Sequence, residues 1–516
     1  MNNVTFRTHS FTSFAAALFL AAPLAAQQPA QPPAPLPSHP VQTAPADPAI
    51  AAALQQVSAD RIKATITKLV SFNNRSTLSS MDKDLPPGTG INAAADWIFS
   101  EFQSYSDACG GCLEVKRDDF AEPGRPNSRI VKDTRLQNIY AVLKGTDPSQ
   151  AARRVLITGH YDSRNSSNED THAAAPGAND DASGTAVSIE CARVLSKLKF
   201  PSTIIFVAVA GEEQGLNGSR HLAKLAKSEG WDLEAVLNND IVGGDTTPGV
   251  TGADKSAVRV FSEGVPGPAT LEQLRQIQTI GAENDAPARE LARAIVDVDA
   301  TYFLPTDHHA AAIPGRAHSM AIRHDEAFHP VMIFRRDRFG RGGDHTSFST
   351  EGFAAVRFTE WLENFNHQHQ NLRMENGIQY GDLIQYDDFD YMANVARLNA
   401  AALATFASAP GIPQKVAVLN PPYDTNTVLR WEKPAGMPAS ATFEVVYRDT
   451  IQPDWTTVIP VGNVTNISIP ISKDNVIFGV RSVDAAGHRS MAVYPIPPPS
   501  NRPPVPGTEP PPPPRP

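Results

Sequence analysis

The sequence predicts an α/β domain, a mostly parallel sheet sandwiched by helices, followed by a small all-β sandwich. Between about residues 49 and 409, apolar runs rich in β-branched residues alternate with helical periods, the pattern of strands joined by crossover helices. From Gly411 to about Pro495 no helical period recurs, and short strand-like runs follow one another between turn signals. A third observation bears on function: acidic residues and one histidine gather where the strands of the larger block end.

The first stretch, "MNNVTFRTHSFTSFAAALFLAAPLAAQQ", carries Arg7 and then an apolar run from Phe14 to Ala26. That run is short for a membrane span and ends in small residues, so residues 1–26 read as a secretory signal peptide and the protein as exported, periplasmic or secreted. Residues 27–48 read as a Pro/Ala-rich linker and 496–516 as a polyproline tail. No later segment is apolar for long enough to span a bilayer. The 45 basic and 55 acidic residues give a net charge of −10, which argues against a nucleic-acid or anionic-membrane binder.

Within the larger block, "RRVLITGHYDS" reads as a strand, "ASGTAVSIECARVLSKL" as a helix and "STIIFVAVAGEE" as a second strand. "LNGSRHLAKLAKSEG" is then a helix and "LEAVLNNDIVGG" a third strand, so a parallel sheet covered on both faces is expected. In "DACGGCLEV", Cys109 and Cys112 read as a local disulfide of an exported chain, since a zinc knuckle would need further ligands nearby. Cys191 reads as a buried thiol.

Functional residues of such sheets collect at the carboxyl ends of strands. "ITGHYDS" sets His160 and Asp162 two apart on a strand, so both point the same way and the carboxylate can orient the imidazole for a metal. "PGANDDASGTA" supplies Asp180 and Asp181, "VAVAGEEQGLNGS" supplies Glu212 and Glu213, and "NNDIVGG" supplies Asp240. Six carboxylates along one sheet edge repel one another strongly without a compensating cation. "TDHHA" (Asp307, His308, His309) and "RHDEAFH" (His324 to His329) lack zincin spacing, and no G-x-S-x-G elbow is present.

The four separated motifs "GHYDS", "GANDDASGTA", "GEEQGLNGS" and "NNDIVG" resemble, in order, those of the zinc-dependent exopeptidases that include bacterial leucyl aminopeptidases, glutamate carboxypeptidase and glutaminyl cyclase. The resemblance runs from about Val57 to Phe406 and implies two zinc ions. It makes His160 and Asp240 ligands of one ion and Glu213 of the other, with Asp180 bridging them and a cis peptide between Asp180 and Asp181. It makes Asp162 the orienter of His160 and Glu212 the general base. The remaining ligand is expected in "ENFNHQHQN" at His367, which follows Phe365, with His369 and His345 as alternatives. By the same resemblance His345, in "GGDHTSF", has a substrate or supporting role, as does Asp181.

These expectations describe a secreted dizinc aminopeptidase acting on peptides or proteins through a metal-activated water. The alternatives are a carboxypeptidase or glutaminyl cyclase on the same fold, or a non-catalytic binding protein. The closing block, with Trp431, Tyr447 and "FGVRSVDAAGHRS", resembles a fibronectin type III domain. As an accessory module it would bind a surface, polymer or protein, and a chain ending near Pro410 would keep activity on small substrates.

Overall fold

A computed structural model describes residues 37–303, 327–419 and 423–497. The signal-peptide segment, "TDHHA", the start of "RHDEAFH" and most of the Pro-rich tail lie outside the described residues.

Strand β1 is His39–Pro40. The main sheet uses β2 (Leu113–Glu122), β3 (Thr134–Leu143), β4 (Arg153–His160), β5 (Thr203–Val209), β6 (Asp232–Asn239), β7 (Ala257–Phe261), β8 (His329–Ile333) and β9 (Ala355–Glu360), in the order β2-β3-β5-β4-β6-β9-β7-β8. The four central strands β5, β4, β6 and β9 are mutually parallel. The flanks bring antiparallel pairings, β2 with β3, β3 with β5 and β9 with β7, while β7 and β8 run parallel, so the sheet is mixed, with four parallel and three antiparallel pairings. Connections explain the difference. β2 and β3 are joined by residues 123–133 without a helix, which suits an antiparallel return, whereas the central strands are separated by crossover helices.

Those helices are α4 (Gly184–Leu195) and α5 (Asn217–Ser228), preceded by α1 (Pro48–Leu54), α2 (Ala59–Val70) and α3 (Gly90–Ala108). Further along come α6 (Leu271–Ile280), α7 (Pro287–Tyr302), α8 (His345–Thr350) and α9 (Phe389–Ser408). Alternation along β5 assigns the faces. Ile204, Phe206 and Ala208 join the large core with residues of α2, α3, α4 and α9, while Ile205, Val207 and Val209 pack with Leu222 of α5 and Phe348 of α8. The alanines of α9 let it lie close, and its Asn399 exchanges amide hydrogen bonds of 2.9 and 3.0 Å with Asn239 on β6. Gly159 and Gly184 allow β4 and the start of α4 to touch: a Cβ on Gly159 would sit 2.3 Å from the Gly184 carbonyl carbon. This contact brings the strand end and the helix start to one place.

After a small hairpin of β10 (Arg373–Glu375) and β11 (Ile378–Tyr380), the chain forms β12 (Gln414–Val418), β13 (Thr427–Glu432), β14 (Thr442–Asp449), β15 (Thr457–Gly462), β16 (Asn466–Ile469) and β17 (Val476–Val483). They make two antiparallel sheets, β12-β13-β16 and β1-β15-β14-β17, facing each other where Trp431 meets Phe443 edge-on at 5.5 Å. The segment read as a linker thus contributes a strand, His39 opposite Val458, and Asp47 caps α1.

The described residues from Pro37 on form one compact unit. Buried ionic contacts join α7 to the sandwich: Arg293 pairs with Glu290 and donates to the Pro453 carbonyl (2.6 Å), Arg448 pairs with Asp285, and Trp455 donates to Glu290 (3.1 Å). Cys109 and Cys112 form a disulfide at the end of α3, and Cys191 is a buried free thiol.

Candidate metal centre

His160 ends β4 with its side chain buried. Its Nδ1 lies 3.2 Å from the Asp162 carbonyl and 3.4 Å from an Asp162 carboxylate oxygen; both can only accept, so the ring proton sits on Nδ1. Nε2 is left without a hydrogen bond and faces Asp180 Oδ1 at 3.2 Å and Asp240 Oδ1 at 3.9 Å. Burial disfavours a charge on this ring, but Asp181, Asp162, Asp180 and Glu212 outweigh it and raise its pKa well above the ordinary value. So many acids around one imidazole call for a cation.

Asp180 lies between two such groups. With His160 and Asp240 it forms one, and with Glu213 and His369 another, the ligand atoms of each lying within 4.8 Å of one another. Its Oδ2 is 2.9 Å from His369 Nε2, which is also 3.0 Å from Glu213 Oε1. The donor set of carboxylates and imidazoles suits zinc, and the bare His160 Nε2 and the Glu213 Oε1, which has no hydrogen bond, are the orphaned buried atoms a cation would satisfy.

The histidine beside Glu213 is therefore His369, not His367. His367 stacks on Tyr386 at 4.2 Å between ring centres, with Nδ1 3.7 Å from Asp245. The segment is a turn, and His369 takes a positive φ of 54°, which swings it toward Asp180 and Glu213 while Phe365 stays exposed. His345 is also elsewhere. Its Nε2 donates to the Arg336 carbonyl (2.9 Å), it begins α8, and burial lowers its pKa to about 4, so it is a neutral packed residue.

The supporting residues do more than the motifs disclose. Asp162 accepts the backbone N–H groups of Glu212 and Glu213, both at 3.2 Å, so one carboxylate orients His160 and holds the strand end carrying the glutamates. Asp181 accepts from the N–H of His160 (3.0 Å), Gly184 (2.9 Å) and Ile241 (3.2 Å), which commits it to the backbone. The Asp180–Asp181 peptide is cis. Glu213 accepts from Arg164 at 2.9 Å, whereas the Glu212 carboxylate is half-buried and makes no hydrogen bond among the described residues. Burial, then Asp240, Glu213 and Asp344, push the Glu212 pKa up against the pull of His160.

Several partners fall outside the motifs. Arg357, fully buried on β9, donates to Asp240 Oδ1 at 2.7 Å; a lone arginine in the apolar run "AAVRFTE" was its one signal. Asp382 accepts the N–H groups of Asn179 and Asp180 (2.9 and 2.7 Å), and Arg75 ties the Tyr161 and Gly177 carbonyls together (2.7 and 2.8 Å). Asp344 is fully buried, and burial beside Asp240 and Asp162 raises its pKa to about 7 against the pull of His160 and Ser219. It stands next to His345 in "GGDHTSF", so its motif was visible while its role was not.

An α/β sheet carrying two carboxylate–histidine groups that share one aspartate describes a metalloprotein with its site at the strand ends. Residues 138–286 match the model of peptidase family M28. The chain is 42% identical over 449 residues to a protein of Leptosphaeria maculans named probable zinc metalloprotease, covering 87% of this chain and 97% of that one. A protein of the same name from Pyrenophora teres f. teres is 42% identical over 456 residues, 88% of each. The solved structure of the Legionella pneumophila LapA aminopeptidase is similar over 70% of this chain and 74% of that one, at 21% identity and a TM-score of 0.46. The chain belongs to peptidase family M28 and is a zinc metalloprotease.

Proposed function

We propose that the protein is an exported aminopeptidase that uses two zinc ions to release N-terminal residues from peptides. One observation carries this reading: Asp180 is shared by two ligand groups, with the unbonded Glu212 carboxylate on the same edge. His160, Asp180 and Asp240 would hold one ion and Asp180, Glu213 and His369 the other. Zinc held there supplies Lewis-acid activation of water and of the scissile carbonyl. Glu212, with its raised pKa, takes a proton from the attacking water and delivers it to the leaving amine. Asp162 keeps the His160 proton on Nδ1, and Arg357 fixes Asp240. The surplus of carboxylates favours a cationic peptide amine over a peptide carboxylate, which supports amino-terminal specificity.

Export is supported by the Arg7-led apolar run before Ala26. The six strands after residue 411, three in each of two facing sheets, support a fibronectin type III-like module. Zinc analysis combined with hydrolysis of a panel of aminoacyl anilides and of N- and C-terminally blocked peptides tests the proposal. Cleavage of N-blocked but not C-blocked peptides would make the enzyme a carboxypeptidase.

A further inference from the structure

Beside the metal centre, the loop "RRDRFGR" places four arginines within seven residues, Arg335, Arg336, Arg338 and Arg341, in a chain whose net charge is −10. They line a cleft of about 320 Å³. Two buried carboxylates lie behind them and are oversubscribed. Glu363 is shared by Arg338 (2.9 Å), Arg341 (3.1 Å) and Arg259 (3.0 Å). Asp337 meets Arg338 at 3.0 Å and Arg357 at 3.8 Å. Arg336 reaches Glu263 only at 3.7 Å, and Arg335 is exposed with no carboxylate partner among the described residues. The cleft therefore carries uncompensated positive charge.

Its position ties it to the chemistry. Arg341 lies 3.5 Å from Gln368 Oε1, and Gln368 donates to Asp180 Oδ2 at 3.1 Å, so one side chain separates the loop from the shared aspartate. The rim is apolar: Phe339 is 87% and Phe365 64% exposed, each near an arginine, at 5.7 Å from Arg335 and 5.9 Å from Arg341. Exposed aromatics around a charged cleft mark a recognition surface, and planar guanidinium groups match carboxylates in geometry and charge.

We propose that this loop binds acidic side chains of the substrate downstream of the scissile bond, so that the enzyme prefers peptides with glutamate or aspartate after the first residues. The inference rests on the peptidase reading. In it, the amine end sits among the carboxylates and the following chain crosses the arginines.

The test uses the zinc-loaded full chain and two dye-labelled peptides with amidated C-termini and a reduced, uncleavable first amide, Leu-Gly-Glu-Glu-Gly and Leu-Gly-Gln-Gln-Gly. Fluorescence polarisation at low salt should show the glutamate peptide binding about tenfold or more tightly, with the gap narrowing in high salt. Arg335→Ala/Arg336→Ala, or the milder Arg335→Gln, should shrink that gap while leaving hydrolysis of leucyl anilide unchanged. Arg335 is exposed, so Arg335→Gln should melt like wild type, whereas the double variant also loses the Arg336 hydrogen bonds to the Thr346 carbonyl (3.1 Å) and Thr350 hydroxyl (3.2 Å) and should melt slightly lower. Equal binding of the two peptides by the wild type, or an undiminished gap in the double variant, overturns the proposal. If the gap is present and depends on the arginines but the wild type cleaves no anilide or peptide, acidic recognition stands and the peptidase reading falls.

Discussion

Glu212 and Glu213 are adjacent in sequence yet differ in every contact that matters. Glu213 is buried against His369 and Arg164, whereas Glu212 is half-exposed and unbonded. Glu212→Gln should keep its zinc while turnover falls by about 10²- to 10⁴-fold; Glu213→Gln should lose zinc together with rate, as elemental analysis beside a rate assay would show. Loss of zinc from Glu212→Gln alone would reverse the two roles. The same pair of measurements separates the histidines: His369→Ala should bind less zinc than wild type, and His367→Ala should not. His160, Asp180, Glu213 and Asp240 were legible because each sits in a short motif where a strand leaves the sheet. Between His367, which the sequence favours, and its alternatives His369 and His345 no periodicity decides, because His369 sits in a turn at a positive φ, and it is His369 that the structure sets beside Asp180 and Glu213. Asp382, Arg75 and Arg357 reach the site from distant sequence, where no local pattern could mark them. A residue away from the site gives a pH test. Asp299 on α7 is buried with no charged partner among the described residues, and burial raises its pKa to about 8 from 3.8. The folded state then holds a proton that the unfolded state has released. Stability from this group is complete below about pH 4 and declines by about 1.4 kcal/mol per pH unit until about pH 8. Asp299→Asn cannot ionise, so thermal melting should find it more stable than wild type at pH 8, with the difference vanishing near pH 4.

Among the elements, β4 and α4 act as a unit because two glycines let their backbones meet. Gly159→Ala would set a Cβ 2.3 Å from the helix start and push α4 off the strand. A loss of about 1–3 kcal/mol or more is expected, with weaker zinc binding, because His160 and Asp180 flank that contact. A variant melting like wild type would show that α4 can shift freely. Strands and helices from β4 to β6 were legible in the sequence because fully buried strands read as unbroken apolar runs. The antiparallel flanks were not, since strand direction follows from connection geometry rather than from composition.

For the molecule as a whole, the sandwich is attached through charge as well as apolar contact. Arg448, Asp285, Glu290, Arg293 and Trp455 are all buried where α7 meets it, and Met491 joins the main core. Burial lifts the Glu290 pKa to about 7 despite Arg293, so this junction is costly to leave half-built. The match to the Leptosphaeria protein, over 449 residues, is longer than residues 49–409 alone can supply. Arg448→Met should cost about 1.5–3 kcal/mol by removing one of the two arginines on buried Asp285, which keeps only Arg293 at 3.3 Å, measurable by denaturant unfolding. A chain ending at Ala409 should be poorly soluble and melt without a cooperative transition, in place of the free-standing peptidase that the sequence alone led one to expect. A soluble, fully active truncation would make the sandwich an accessory after all.

The pairing of His39 with Val458 has a consequence for synthesis. The first described strand of the chain acquires its neighbour only after more than four hundred further residues have been translated. During that interval the nascent chain can build the central sheet domain-first from its amino end, while β1 waits without its partner. Only when β15 has emerged can β1 take its place at that edge of the sandwich sheet.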